Sequence, residues 1–168
     1  MTLPDIALAT SATKPSPSRA KERGGADIAT HIVVGVDDSD GAQGALEWAL
    51  DEARRHNARV TLLHAYLLEV AWIDRADIDR WSDAERRAAE NALAQMVHEV
   101  QAPAGIELET RVVEGNPANV LIEASQDADL LVVGSRGRGG LTGLLLGSVS
   151  QRCVERAQCP VVVVPRAS

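Results

Sequence analysis

The chain has 168 residues, a formal net charge of −7 and 45% hydrophobic residues. This length and composition suit one soluble globular domain with a full hydrophobic core, and the negative charge argues against nucleic acid as a partner. Both lysines, Lys14 and Lys21, lie near the amino terminus, which excludes lysine-dependent chemistry from the rest of the chain. The two cysteines, Cys153 and Cys159, have neither the spacing of a redox CxxC pair nor that of a zinc site.

Residues 1–29 are predicted to form a disordered amino-terminal arm, because Thr, Ser, Pro, Ala and Lys dominate there. The arm does not resemble a signal peptide, since it has no charged start followed by an apolar block. The longest apolar stretch, Leu62–Ile73, is interrupted by His64 and Glu69 and is too short to span a bilayer. We therefore expect a single domain over residues 30–168, no membrane partner and a cytoplasmic location.

From His31 onward, short apolar runs alternate with amphipathic segments of helical period. The predicted strands are Ile32–Val36, Arg59–Ala65, Ile106–Val113, Leu130–Val133 and Val161–Val164. The predicted helices are Asp40–Asn57, Trp81–Gln101, Asn116–Gln126 and Ser148–Ala157, with a looser segment from Tyr66 to about Arg80. Asn116 followed by Pro117 is typical of a helix start, with Asn as N-cap and Pro in the first turn.

Strand and helix alternation of this kind predicts an α/β fold, a doubly wound five-stranded parallel sheet with helices on both faces. The expected strand order is 3-2-1-4-5. Strands 1 and 4 are then neighbours, and the winding direction reverses between them. Ligands bind at such a switch point, beyond the carboxyl ends of the strands. The residues after strand 1, from Asp37 to Asp40, and those after strand 4, from Gly134 onward, are therefore expected at one site.

Glycines after strand 4 have fixed spacing: Gly134, Gly137 and Gly147, followed by Ser148. A buried strand, a glycine loop and a helix follow one another here, which aims backbone N–H groups and a helix N-terminus at one spot where a phosphate would fit. Glycine permits positive φ and close approach of the backbone to a ligand. We expect Gly147→Ala to abolish nucleotide retention, because a Cβ would occupy space beside the phosphates. The competing interpretation is a flexible connecting loop.

Polar residues at both switch-point loops have two possible roles. Asp37 is assigned to the ligand, through a ribose hydroxyl or a magnesium ion on the phosphates, whereas Asp40 with Gln43 resembles a capping box. Ser148 with Gln151 also fits a capping box, although its hydroxyl would equally suit a phosphate.

Two arginines, Arg136 and Arg138, are the cations inside the glycine loop. They are either phosphate ligands or solvated loop charges. The backbone at the end of strand 2, His64-Ala65-Tyr66, could meet the Watson–Crick edge of a purine, with His64 itself structural rather than catalytic. A Walker loop is excluded because its lysine is missing. The glycines also follow the wrong strand for a dinucleotide-binding Rossmann site.

These features together resemble the ATP-binding branch of the universal stress protein family over roughly His31 to Pro165. The hallmark of that branch, G-2x-G-9x-G-[ST], is met by the glycine frame without deviation. Further matches are Val34–Ser39 at the first strand and Cys159–Val164 at the last. Such membership implies a Rossmann-like three-layer sandwich of the adenine nucleotide alpha hydrolase type.

The resemblance further implies that the chain binds ATP with Mg²⁺ and forms homodimers through Val161–Val164. Asp37 would contact ribose or the metal, and the backbone around Ala65 would contact adenine. Residues of the glycine frame would line the sugar and phosphates. The residues expected to contact the nucleotide are Gly35, Val36, Asp37, Ser39, Ala65, Val133, Gly134, Arg136, Gly137, Arg138, Gly147, Ser148, Val149 and Ser150.

Three functions compete on this evidence. The first is an ATP-binding, stress-responsive regulatory protein with slow or no hydrolysis, because no residue is found to orient water. The second is a dimeric interaction module of the same fold that binds no nucleotide. The third, an ATP pyrophosphatase or nucleotidyl transferase, requires a SGGxDS or HIGH motif near strand 1, where Gly35–Ser39 is neither.

Overall fold

A computed structural model describes residues 31–37, 39–67, 75–100, 103–137 and 146–166, with the backbone alone described at 40 and 75–81. The predicted arm, residues 1–29, therefore lies outside the described part, and the domain bounds stay a prediction.

Five parallel strands form one sheet in the order β3-β2-β1-β4-β5, as predicted. The strands are β1 His31–Val36, β2 Arg59–Tyr66, β3 Leu108–Glu114, β4 Leu130–Gly134 and β5 Val161–Val164. The helices are α1 Asp40–His56, α2 Arg75–Val100, α3 Pro117–Ala124 and α4 Ser148–Arg156. The chain is thus a doubly wound α/β domain, and its switch point lies between β1 and β4.

Each face of the sheet is covered by one pair of helices, because the central strands are apolar on both sides. One core joins β1, β2 and β4 to α1 and α2, with Ile32 and Leu46 fully buried. The other core packs β1 and β4 against α3 and α4, with Leu131 and Cys153 fully buried. The thiol of Cys153 therefore behaves as a small apolar group, and its burial raises the pKa to about 11.

Helix α2 begins six residues earlier than predicted, at Arg75 rather than Trp81. The sequence from Arg75 to Arg80 is rich in Asp and Arg, so it lacks the apolar stripe on which the prediction depended. Within the described ranges, no helix is long and apolar enough to cross a membrane.

Both predicted capping boxes are wrong. Ser39, not Asp40, is the N-cap of α1, with the extended backbone that a cap requires (φ −99°, ψ 153°). Gly147, not Ser148, is the N-cap of α4, with φ −75° and ψ 161°. The glutamines expected to close the boxes donate instead to glutamates one turn ahead, from Gln43 to Glu47 and from Gln151 to Glu155.

The predicted start of α3 is confirmed. Asn116 is the N-cap, and its side-chain oxygen accepts a hydrogen bond from the Asn119 N–H at 3.4 Å. Pro117 follows in the first turn, where the missing N–H costs no hydrogen bond.

Candidate functional site

A cleft of about 610 Å³ opens at the carboxyl ends of the strands. Its floor is formed by the ends of β1, β2 and β4, and its sides by α2 and by the first turns of α1, α3 and α4. The cleft therefore lies at the switch point, where the strand order predicts a ligand site.

Close backbone packing explains the first glycine of the frame. A Cβ on Gly134 would come within 2.8 Å of the Gly41 carbonyl oxygen, and a Cβ on Gly41 within 2.7 Å of the Arg136 carbonyl oxygen. The first turn of α1 thus lies directly against the loop that follows β4. Positive φ is not the reason, since the glycines with positive φ among the residues described are Gly105 and Gly115.

The other two glycines of the frame differ in their surroundings. Gly137 faces the Asp37 carboxylate so closely that a Cβ would collide with it. Gly147 faces the loop backbone, and a Cβ there would lie at ordinary contact distances, 3.5 Å from the Cα of Arg136 and 3.6 Å from the Ser135 carbonyl oxygen. An alanine at position 147 therefore fits against the protein atoms around it, whereas the expected loss of nucleotide retention in Gly147→Ala concerns the space beside a bound phosphate and stays a prediction.

Asp37 is held at the mouth of β1 by Ser39. The Ser39 backbone N–H donates to one carboxylate oxygen of Asp37 at 3.1 Å, and the Ser39 hydroxyl donates to the same oxygen. The hydroxyl is turned toward Asp37, and it accepts no capping hydrogen bond from an amide of α1. The result is a half-buried carboxylate fixed in orientation at the centre of the cleft.

The first turn of α4 forms one end of the cleft. Its N-cap is a glycine and makes no side-chain capping hydrogen bond, and the amides of Ser148, Val149 and Ser150 donate neither within the helix nor to another backbone carbonyl of the described residues. The first helical hydrogen bond runs from Gln151 N–H to the Gly147 carbonyl at 2.9 Å. The free amides and the helix dipole together make this end suited to an anion.

The hydroxyl of Ser150 has a structural role, not the phosphate contact that its position at the start of α4 suggested. It is 4% exposed, and its hydroxyl donates to the Gly134 carbonyl oxygen at 2.6 Å. This hydrogen bond ties α4 to the end of β4. Gly147 N–H donates to the Ser135 carbonyl at 2.7 Å and adds a second tie, so the start of α4 is fixed relative to the strand.

The end of β2 forms the opposite side of the cleft. β2 continues past β1, since the last β1–β2 pair is Val36 with His64. The Tyr66 carbonyl accepts from Gly115 N–H on the β3 side. Because successive residues of a strand point their backbone groups to opposite sides, the Ala65 carbonyl faces the β1 side, where the strand pairing has ended.

His64 is 9% exposed and lines the floor of the cleft. Burial lowers the pKa of its imidazole, and the smaller attraction of the Asp37 carboxylate opposes this. The ring is therefore neutral at pH 7, in keeping with the structural part predicted for it.

Thirteen of the fourteen predicted contact residues line this one cleft. The remaining residue, Arg138, lies outside the described residues, and Arg136 is half-buried. Sequence reasoning missed the wall formed by α2, to which Glu85, Ala88 and Ala89 contribute. Its signal was available, because a helix that follows β2 covers the end of that strand.

No group of three or more His, Cys, Asp or Glu side chains suited to a metal occurs within the part of the chain described. A divalent ion here would therefore depend on Asp37 together with ligands from outside the described residues. This pattern fits Mg²⁺ carried on phosphates, which uses one or two carboxylates and keeps phosphate oxygens and water as its other ligands.

A doubly wound sheet with a cleft at its switch point defines the class: a Rossmann-like α/β domain. The chain belongs to the universal stress protein family, whose family model matches residues 29–165.

A universal stress protein of Mycobacterium tuberculosis is 36% identical over 137 residues, covering 79% of this chain and 44% of that protein. The chain thus spans about half the length of the curated mycobacterial relatives it matches.

Solved structures agree. The universal stress protein UspA of Lactobacillus plantarum is 30% identical with a TM-score of 0.71, and the match covers 80% of this chain and 97% of that one. A universal stress protein crystallised in complex with cAMP is 29% identical with a TM-score of 0.62, covering 84% of this chain and all of the other.

Proposed function

We propose that this chain binds ATP with Mg²⁺ in the cleft and acts as a stress-responsive regulatory protein with slow or no ATP hydrolysis, in the ATP-binding branch of its family. The observation that carries the proposal is the convergence of three groups in one cleft: uncapped amides of α4, the fixed carboxylate of Asp37 and the Ala65 carbonyl. The structure of a relative with cAMP shows that a protein of this fold can accept an adenine nucleotide.

The phosphates would bind at the first turn of α4. The amides of Ser148 and Val149 and the hydroxyl of Ser148 supply donors, and Arg136 supplies positive charge. Ser150 would contribute its amide, because its hydroxyl is donated to the Gly134 carbonyl.

Adenine would lie at the end of β2, where the Ala65 carbonyl can accept a hydrogen bond from its amino group. β2 and β4 are separated by β1, so their ends are about 10 Å apart at the usual spacing between strands. An extended nucleoside phosphate spans this distance. Asp37, at the end of β1 between them, would then meet ribose or the magnesium ion.

Rapid hydrolysis is not expected. Phosphoryl transfer needs a positioned nucleophile and neutralisation of the phosphate charge. In the part of the cleft wall that the structure describes, Arg136 is the cation. Arginine with a magnesium ion would neutralise phosphate charge, but the sequence offers no residue to orient the attacking water, so the bound nucleotide would act as a signal.

Binding can be tested on the whole chain. Protein purified from cells is denatured, released nucleotide is identified by mass spectrometry, and binding of ATP with and without Mg²⁺ is titrated calorimetrically. We expect ATP, or ADP from slow turnover. Asp37→Ala should weaken Mg²⁺–ATP binding by about tenfold or more, the value of one charge-assisted contact.

Asp51→Ala is the matched control, since Asp51 is an exposed acid on α1 that pairs with Arg54 outside the cleft. Equal binding by the Asp37 variant and the control would contradict the assigned pose. A parent chain that neither releases nor binds any adenine nucleotide would favour the alternative, a dimeric interaction module without nucleotide.

We also propose a cytoplasmic homodimer that pairs through β5. β5 bonds to β4 on one side and forms the other edge of the described sheet, and an apolar edge strand of four valines invites pairing with another copy. Ser135 N–H donates to Val164 O, and Leu131 N–H to Pro160 O, so by alternation the Val163 N–H points to the open edge.

Val163→Pro would remove that outward N–H and spare the inward ladder. We expect a dimer for the parent chain and a folded monomer for the variant in analytical ultracentrifugation. A parent chain that sediments as a monomer at high concentration would contradict the dimer.

A further inference from the structure

We propose that Glu85 determines the base specificity of the cleft by accepting a hydrogen bond from the exocyclic amino group of adenine. This inference rests on the proposed function, because it assigns a contact within the same nucleotide site.

Glu85 lies on the α2 wall, at the side of the cleft away from α4. α2 packs against β2 and β3, whereas α4 packs against α3 and β5. The cleft lining also includes Tyr66 and Leu67 at the end of β2, the strand on which α2 packs. A ligand whose phosphates lie at the amides of α4 would therefore turn its base toward Glu85.

The other described residues of the α2 wall have short side chains. Its other described lining residues are Ala88, which is exposed, and the buried Ala89. Methyl side chains cannot form hydrogen bonds, so Glu85 is the long polar group that α2 presents to the cleft within its described lining.

Glu85 also differs from other acids of the same helix. Asp83 and Glu90 accept hydrogen bonds from Arg86 at 3.2 and 2.9 Å, and Glu99 accepts one from Gln95 at 2.9 Å. No hydrogen bond or ion pair joins Glu85 to any residue in the described part of the chain. Its carboxylate is therefore available to a ligand.

An ionised carboxylate accepts hydrogen bonds and donates none. It favours a base edge that carries an amino group, and the amino group of adenine has two hydrogens. One can bond to the Ala65 carbonyl and the other to Glu85. Guanine also has donors on this edge, so the decisive comparison uses ligands that differ in the amino group alone.

The test is a double-mutant-type cycle, in which the Glu85 side chain and the amino group of the base are removed singly and together. Binding of ATP and of purine riboside 5′-triphosphate, which lacks the amino group, is titrated for the parent chain, Glu85→Ala and the control Glu99→Ala. We expect loss of the amino group to weaken binding about tenfold in the parent and the control, and less than about threefold in Glu85→Ala.

The outcomes separate the two proposals. If ATP binds and the amino group matters equally in the parent and Glu85→Ala, the Glu85 contact is overturned while the nucleotide site stands. If the parent binds ATP and the purine analogue equally, the contact is likewise overturned. If no triphosphate binds the parent chain, the proposed function fails and the contact with it. Equal unfolding midpoints for the three proteins show that the comparison concerns binding.

Discussion

The two ends of the same sheet treat their polar groups differently. At the amino ends of the strands, His31 lies between Asp127 and Thr61, with its ring nitrogens 2.9 Å from the Asp127 carbonyl and 3.0 Å from the Thr61 hydroxyl oxygen. Asp129 adds two hydrogen bonds, accepting from the His31 N–H at 3.0 Å and donating its own N–H to the His31 carbonyl at 2.9 Å. At this end, protein groups satisfy one another.

At the carboxyl ends, internal hydrogen bonds orient the polar groups of the cleft and leave them able to contact a ligand. Ser39 orients Asp37, and Ser150 fixes α4 against the end of β4. The amides at the start of α4 have no capping side chain. The comparison teaches that one set of strands can carry two kinds of end: polar groups pair with one another at the amino ends, whereas the amides of α4 at the carboxyl ends have no capping side chain, as the proposed nucleotide site requires.

The largest effect is expected from the glycine contact at the binding end. Gly134→Ala should lower the free energy of unfolding by about 1–3 kcal/mol, because its Cβ would press on the Gly41 carbonyl oxygen and force a backbone shift. Urea denaturation measures this, and ATP binding should fall with it.

Gly147→Ala is the matched control within the same frame. Its Cβ meets ordinary contact distances at a φ that alanine adopts, so stability should change by less than about 0.5 kcal/mol. Equal stability of Gly134→Ala and Gly147→Ala would contradict the conclusion that position 134, unlike position 147, has no room for a Cβ.

A smaller effect is expected at the amino end when the pH falls. Burial lowers the pKa of His31 below 6.5, and nearby Arg59 lowers it further, while the Asp127 carbonyl and the carboxylates of Glu109 and Asp127 oppose this. The unfolded chain then binds a proton more readily than the folded one. Stability is therefore complete above pH 6.5 and is lost as the pH falls through the folded pKa, by at most about 1.4 kcal/mol per pH unit for one proton.

His31→Gln should give a shallower dependence of unfolding free energy on pH between 7 and 5. The pKa of His64 is lowered as well, so its contribution has the same sign and remains in the variant. An unchanged slope of unfolding free energy against pH would show that the His31 hydrogen bonds of the structure do not form in solution.

The sequence predicted the sheet order, and it predicted the strand bounds to within one residue except at the start of β3, which is Leu108 rather than Ile106, because apolar runs and turn residues report burial directly. It misplaced both caps beside the cleft. The choice between Ser39 and Asp40, or between Gly147 and Ser148, depends on one backbone dihedral pair and on where a hydroxyl finds its partner. The Ser39 hydroxyl donates to Asp37 and accepts no hydrogen bond from an amide of α1, an arrangement that no local pattern reports.

The candidate site was predicted well where it follows strands and poorly where a helix approaches from the side. Asp37 and Gly134 were placed by the switch-point argument, and Ser148 by the glycine loop that leads into a helix. Glu85 was missed because it lies outside the apolar stripe of α2: the position of that helix after β2 was a signal, but tertiary packing decides which of its side chains reach the cleft.

The glycine frame of residues 134–148 packs against a residue nearly a hundred positions earlier in the chain, Gly41. Gly41 has no room for a side chain, since a Cβ there would come within 2.7 Å of the Arg136 carbonyl oxygen, and its own carbonyl oxygen lies within 2.8 Å of where a Cβ on Gly134 would fall. Transplanting the loop into another domain of the same topology should therefore fail unless a glycine is introduced at the second position of the first helix. Homologues that keep the loop are expected to change at positions 41 and 134 together.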